Sequence, residues 1–395
     1  MSGPLQIGFI PLVDAAALIV AVDKGFTAEE GLDVTLVREV SWSNVRDKLN
    51  IGLLDAAHLL APVAIASSLG IGHVRVPITA PFNLGINGNA ITVSPALHAA
   101  LMAELDGDRF DPMATAKALA RVVAARRKRG TEPLTFAMTF PFSTHNYQLR
   151  FWMAAGGVDP DEEVRLVVLP PPFMAETLAS GQIDAFCVGA PWNSIAVDRG
   201  VGHILHFVSD ILVRAAEKVL AIRQGWAERN PQVVAALVRA ASRAADFVEQ
   251  NHSETARMLA RPERIGVDAE VIQRSLDGRL KVSPDGTLRE SGRYLLVGRE
   301  AAERPDPVQA AWLYAQMARW GQTSLSKDAL KTAMAVFRPD LYDAAIGQKP
   351  DADYGSGSFT AFAGPPFTPE DLTGYLASFR VARGAARATS GSKSP

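Results

Sequence analysis

Two short runs stand 129 residues apart and nearly repeat each other: Gly52-Leu53-Leu54-Asp55-Ala56 and Gly181-Gln182-Ile183-Asp184-Ala185. An apolar stretch opens each segment at the same spacing, from Leu5 and from Leu134. The order of elements recurs around these marks. The first copy reads as a strand near 5–10, a loop at Pro11, a helix over about 14–24 ended by Gly25, and a strand over 34–37. A helix after Ser41-Trp42-Ser43-Asn44 and a strand from Asp55 follow. The second reads as a strand over 134–138, a loop at Pro141, a helix stopped by Gly156-Gly157, and a strand over 164–169. The loop Pro170-Pro171-Pro172, a helix through Leu178 and a strand from Asp184 complete it. Gly31 and Gly157 are 126 residues apart, so small insertions or deletions separate the copies.

Strands alternating with helices predict an α/β chain with doubly wound parallel sheets. A duplicated βαβαβ unit predicts two such lobes with a ligand cleft between them. Loops at the carboxyl ends of the strands then surround the cleft: residues 11–14, 41–44, 139–145, 170–172 and 189–193. Residues 76–82 and 90–94 read as strands crossing between lobes, turning at Asn87-Gly88-Asn89, and residues 203–222 as the return. The expected division is residues 1–88 for the first part of lobe one and 89–212 for lobe two. Residues 213–380 return to lobe one with C-terminal helices, and 381–395 form a disordered tail. Helical apolar spacing marks 234–248 and much of 305–342, with Trp312, Met317 and Trp320 as core candidates.

The stretch from Thr139 to Arg150 joins a buried strand to an apolar-patterned helix. Ser143 and Thr144 are good N-cap types. A helix start offers unpaired N–H groups and the positive end of the dipole, so it attracts anions. His145 falls in that first turn. Taken alone, the same residues also suit a plain cap with a surface histidine.

Composition narrows the function. Charged residues make up 21% and the net charge is -2, so no basic field points to direct nucleic-acid contact. The single cysteine, Cys187, sits in an apolar strand and excludes an internal disulfide. No P-loop or dinucleotide glycine loop, zinc-type histidine pair or hydrolase elbow is found. The expectation is a binding protein rather than an enzyme, without cofactor or metal. The first basic residue is Lys24, and the apolar run 15–22 is too short to span a bilayer. No export signal or membrane segment is therefore expected, and the expected location is the cytoplasm.

Several motifs in collinear order over roughly 5–345 carry a resemblance. They are residues 41–49, 87–93, the turn at Thr144-His145-Asn146-Tyr147, Gly189-Ala190-Pro191-Trp192-Asn193, Ala310-Ala311-Trp312 and Arg319-Trp320-Gly321. Together they resemble the nitrate/bicarbonate-binding proteins of ABC transporters. The resemblance implies a two-lobed periplasmic-binding-protein-like (type II) fold that closes over a small anion. It implies ligand-binding roles for Trp42, Asn89, Thr144, His145, Pro171, Val188, Gly189 and Lys218. Asn89 stands where the family usually has glutamine. The nitrate type is similar in carrying lysine at Lys218, whereas the bicarbonate type has an acid and a calcium ion. On that basis the lysine charge balances a monoanion without metal. From the residues alone, Trp42 also suits a core, Asn89 a turn and Lys218 a solvated surface.

Without an export signal, the chain resembles the cytoplasmic nitrate/nitrite sensors of nitrate assimilation. Such a sensor holds an ANTAR-type RNA-binding antitermination regulator and releases it when the anion closes the lobes. Two alternatives stand beside that reading. One is the substrate-binding protein of a nitrate ABC transporter. The other is an enzyme of the thiamine-pyrimidine-synthesis type, with pyridoxal phosphate on a lysine.

Overall fold

The computed structural model describes residues 3–347 and 360–383. Its strands are β1 (Leu5–Phe9), β2 (Val34–Arg38), β3 (Ala56–Leu60), β4 (Ile78–Thr79), β5 (Asn83–Asn87), β6 (Asn89–Val93) and β7 (Thr135–Met138). They continue with β8 (Arg165–Val168), β9 (Ala185–Gly189), β10 (His203–Phe207), β11 (Ala216–Arg223), β12 (Arg279–Lys281), β13 (Leu288–Glu290) and β14 (Leu295–Leu296). One sheet has the order β14-β5-β11-β3-β1-β2, with β4 beside β11; the second has the order β10-β6-β9-β7-β8. These are two α/β lobes, each a wound sheet carrying helices. The chain crosses between them at Gly88 and again between Phe207 and Ala216.

The repeated Gly-x-x-Asp-Ala runs do the same work in both lobes. Asp55 Oδ2 accepts the Gln6 N–H at 2.9 Å, and Asp184 Oδ2 accepts the Thr135 N–H at 2.8 Å. Gln6 and Thr135 stand 129 residues apart, as do the two aspartates. Each carboxylate pins the start of its lobe's first strand to the strand that follows the second helix.

The sheets differ from the all-parallel expectation. β1 runs parallel to β2 and β3, and β7 parallel to β8 and β9. The crossing strands run the other way: β11 is antiparallel to β3, and β6 to β9. A strand arriving from the opposite lobe enters where the parallel strands end, so it runs back against them.

The C-terminal helices Pro307–Arg319 and Lys327–Val336 cover the first lobe through the helix Ala61–Leu69. They also reach the second lobe: Phe151 packs on Trp312 and Phe362 at ring distances of 6.3 and 5.9 Å. Tyr147 Oη donates to Gln322 Oε1 at 2.7 Å. The tail was expected to begin at 381. Residues 381–383 instead pack on the body, with Arg383 N–H donating to the Arg319 carbonyl and Arg319 donating to Val381. The rest of that expected tail lies outside the described residues. No helix among the described residues is long and apolar enough to cross a membrane.

Candidate functional site

The two lobes meet over a crevice formed where the parallel strands end. Val13 N–H donates to the Ala190 carbonyl at 2.9 Å, and Trp192 Nε1 donates to Pro11 at 3.3 Å. Thr144 Oγ1 donates across the gap to the Ala216 carbonyl at 3.4 Å. The lobes are shut on each other.

Local chemistry places the side chains. Ser143 is extended (φ -138°) and its Oγ accepts the Asn146 N–H at 3.1 Å, which starts the helix Thr144–Ala155 with His145 in its first turn. Ser41 caps the helix Trp42–Asn50 in the same way. Lys218 pairs with Leu60, the last residue of β3, and Asn89 pairs with Gly189, the last residue of β9. Gly189 lacks the Cβ that would sit 3.3 Å from Asn89 Oδ1 and 3.6 Å from Asp14 Oδ2, so both side chains approach the backbone there. Gly85 leaves room in turn for Asp14, whose Cβ would lie 3.0 Å from a methyl at that position.

At the centre, Lys218 Nζ lies 2.9 Å from Asp14 Oδ2 and 3.1 Å from Glu217 Oε1. His58 Nε2 contacts Asp14 Oδ1 at 2.9 Å, while the Ile10 N–H points at His58 Nδ1 at 3.4 Å. His145 Nδ1 stands 3.3 Å from Glu217 Oε1 and 3.1 Å from Thr139 Oγ1. Trp42 packs edge-on to His58 at 5.4 Å, with Lys218 Nζ 5.4 Å from its ring centre. Trp42, His58, Asn89, Thr144, His145, Glu217 and Lys218 are all buried.

Burial and neighbouring charge set the protonation. Burial alone would raise the Asp14 carboxyl, but Lys218 and the His58 hydrogen bond hold it well below the ordinary carboxylate range. Burial lifts Glu217 above that range against the pull of Lys218. Burial works against the Lys218 ammonium, yet Asp14 and Glu217 more than offset it and raise its pKa. Burial, with Lys218 close by, keeps the His145 imidazole neutral to well below its ordinary range.

The crevice therefore gathers Trp42, Asn89, Thr144, His145, Gly189 and Lys218. Pro171 is buried in the short turn Pro171–Phe173, and Val188 packs in the second lobe's core while its carbonyl accepts from Asn193 Nδ2 at 2.7 Å. One expectation needs correction: Lys218 is not a lone charge awaiting an anion, because two carboxylates already flank it. Three residues of the cluster escaped the sequence reading. Glu217 adjoins Lys218, and strand periodicity puts neighbours on opposite faces. Register shifts around Lys218 in β11 break that rule and bring both side chains to one place. Asp14 was visible only as an acid heading an apolar run, and His58 only as a polar residue inside an apolar strand.

Among the described residues, four polar groups here have no well-aligned protein partner, Trp42 Nε1, the Asn89 amide, His145 Nε2 and Glu217 Oε2, with the Asn89 amide beside the Glu217 carboxyl. Buried polar groups are normally satisfied. Donors without partners beside an ammonium can hold the oxygens of a small anion.

A two-lobed α/β fold shut on such a crevice defines a chain of the periplasmic-binding-protein-like class. The periplasmic nitrate-binding protein NrtA of Synechocystis superposes with a TM-score of 0.86 at 28% identity, covering 96% of this chain and 98% of that one. The chain belongs to the NMT1-like family, whose pattern matches residues 2–261. It is 31% identical over 387 residues to the nitrate/nitrite binding protein NrtA of Synechococcus elongatus, covering 94% of this chain and 85% of that one. It is 33% identical over 388 residues to the nitrate import ATP-binding protein NrtC of Synechocystis, covering 96% of this chain. The chain spans about half of that relative, 55% of its length. The alkanesulfonate-binding protein SsuA of Xanthomonas axonopodis shares the fold alone, with a TM-score of 0.52 at 16% identity.

Proposed function

We propose that the crevice binds nitrate or nitrite, held by Lys218, His145, Asn89 and Trp42. Thr144 and Gly189 line it, and the resemblance adds Pro171 and Val188 to its surroundings. The observation that carries this reading is the set of unpartnered donors around the Lys218 ammonium in a closed, buried space. The names of the relatives support it, since both NrtA proteins are described as nitrate-binding. Lysine at 218 favours nitrate over bicarbonate, because an ammonium occupies the place where the bicarbonate-type resemblance has an acid and a metal. Titration calorimetry with nitrate, nitrite and bicarbonate tests it. Lys218→Ala should weaken nitrate binding at least about a hundredfold, by analogy with the loss of a charged hydrogen-bond partner. Wild-type affinity in that variant refutes the assignment.

The finer reading is a cytoplasmic sensor without enzymatic activity that releases an ANTAR-type RNA-binding regulator when the anion closes the lobes. Its support is the resemblance of the chain. A coupling of about 1.4 kcal/mol between anion and regulator changes regulator affinity tenfold. A second reading has its own support: NrtC is a nitrate import protein by name and the NrtA of Synechocystis a periplasmic nitrate-binding one, so a transporter substrate-binding role fits equally. Sizing chromatography of the chain with such a regulator separates the two. The sensor role requires a complex that saturating nitrate dissociates.

A further inference from the structure

Resting on the anion-site reading, the geometry points to Glu217 as a specificity-determining residue that makes anion binding proton-coupled: one proton enters the His145–Glu217 pair with each bound anion. His145 Nδ1 faces Glu217 Oε1 at 3.3 Å, and its other nitrogen, Nε2, is the unpartnered atom in the crevice. A neutral imidazole carries one N–H. With Glu217 ionised, charge favours that hydrogen on Nδ1, on the side of the carboxylate 3.3 Å away and the Thr139 hydroxyl 3.1 Å away. Nε2 then presents a lone pair, which repels an anion.

For Nε2 to donate to an anion, the hydrogen must sit there instead. Nδ1 then faces Oε1 lone pair to lone pair unless a second hydrogen lies between them. The Thr139 hydroxyl, 3.1 Å from Nδ1, can donate to that nitrogen, and Lys218 Nζ donates to Oε1 at 3.1 Å, but neither puts a hydrogen between Nδ1 and Oε1. Protonated Glu217 resolves the conflict: its O–H donates to Nδ1, and Nε2–H donates to the anion. Burial favours this placement, since it raises the Glu217 carboxyl and disfavours an imidazolium at His145.

Charge leads to the same place. Around the pair stand Asp14 from the loop after β1, His58 on β3, Lys218 on β11, the Cys187 thiol on β9 and the Tyr294 phenol. Burial keeps the thiol and phenol neutral and His58 below its ordinary range. Asp14 and Glu217 ionised against one Lys218 leave the cluster one negative charge in excess, which repels an incoming monoanion in a dry interior. One proton on Glu217 removes that excess. The anion and proton enter together, so the step is electroneutral. The site thereby selects anions that leave the proton on Glu217, such as weakly basic nitrate.

The test is calorimetric titration of wild-type protein with nitrate at pH 8 in phosphate and in Tris, whose ionisation enthalpies differ. The expected result is proton uptake on nitrate binding, approaching one per anion, with affinity falling as pH rises by up to about tenfold per pH unit. Glu217→Gln offers a non-titrating N–H to Nδ1 and should abolish both the buffer dependence and the pH slope, whatever its absolute affinity. Saturable heat without buffer dependence in wild type overturns the proton coupling while leaving the anion site standing. Undiminished proton uptake in Glu217→Gln overturns its assignment to this pair. No saturable nitrate heat from pH 5 to 9 overturns the anion site itself, and the coupling with it.

Discussion

Asn89 and Lys218 occupy the same place in the two lobes. They stand 129 residues apart, and each pairs across its sheet with the last residue of a parallel strand, Gly189 and Leu60. Each belongs to a strand that has just arrived from the other lobe. The duplication thus delivers one crossing strand per lobe to the crevice, carrying an amide on one side and an ammonium on the other. A small planar oxyanion needs donors from several directions, and two lobes closing face to face supply them.

The duplication carries a stability prediction. Asp55 and Asp184 each accept a backbone N–H from the first strand of their own lobe. Asp55→Ala and Asp184→Ala should each cost about 1 to 2 kcal/mol, because each leaves a strand N–H without its acceptor. The lobes are separate, so the double variant should add to within about 0.5 kcal/mol. Urea denaturation of the three variants measures this. A double variant no worse than either single one contradicts the equivalence.

Much of the fold was legible because this motif is local: glycine to turn, aspartate to tie, then an apolar strand. The strand expected over 90–94 and the return over 203–222 match β6, β10 and β11, but the one expected over 76–82 stops short of β5 at Asn83–Asn87, and no direction was legible. Sequence periodicity reports which residues are buried and is silent on whether a strand runs with or against its neighbour. The site was legible in part for the same reason. Trp42, Thr144 and His145 sit at helix starts that their Ser caps announce. Glu217 and Asp14 depend on a bulged register and on an approach to Gly85, which are tertiary facts.

Asp14 holds the cluster together by accepting from both Lys218 and His58. Asp14→Asn removes a buried charge and should destabilise the protein by about 3 kcal/mol, since it leaves Lys218 under-compensated. The pH dependence follows from the sign of the shift. Asp14 is held below its unfolded value, so its contribution is present above the ordinary carboxylate range and is lost as pH falls. Denaturation from pH 7 to pH 3 should therefore show a shallower acid loss in Asp14→Asn than in wild type. Parallel curves contradict the ion pair.

Glu303 behaves in the opposite sense. Burial lifts its carboxyl to about 7, although the Gly298 N–H donates to it and draws it down. The folded state holds this proton more tightly than the unfolded state does. Stability is therefore full below the ordinary carboxylate range and declines as pH rises toward about 7. Glu303→Gln keeps the shape without the charge and should be more stable than wild type at pH 8 by about 3 kcal/mol. At pH 4 the two should match. Denaturant midpoints at both pH values provide the check.

Trp42 separates two roles that a ring can play in the crevice. It packs edge-on to His58 and under Lys218, while its Nε1–H has no partner among the described residues. If the indole serves only as a wall, Trp42→Phe keeps most of the flat surface and nitrate affinity changes little. If Nε1–H is one of the donors to the anion, its loss costs about 1 kcal/mol, a five- to tenfold weakening. The buried, unpartnered N–H argues for the second outcome, because a buried donor without an acceptor is costly to keep. Nitrate titration of Trp42→Phe should show that weakening, with a denaturation midpoint close to wild type. Unchanged affinity would assign Trp42 to packing alone and leave Lys218, His145 and Asn89 as the donors.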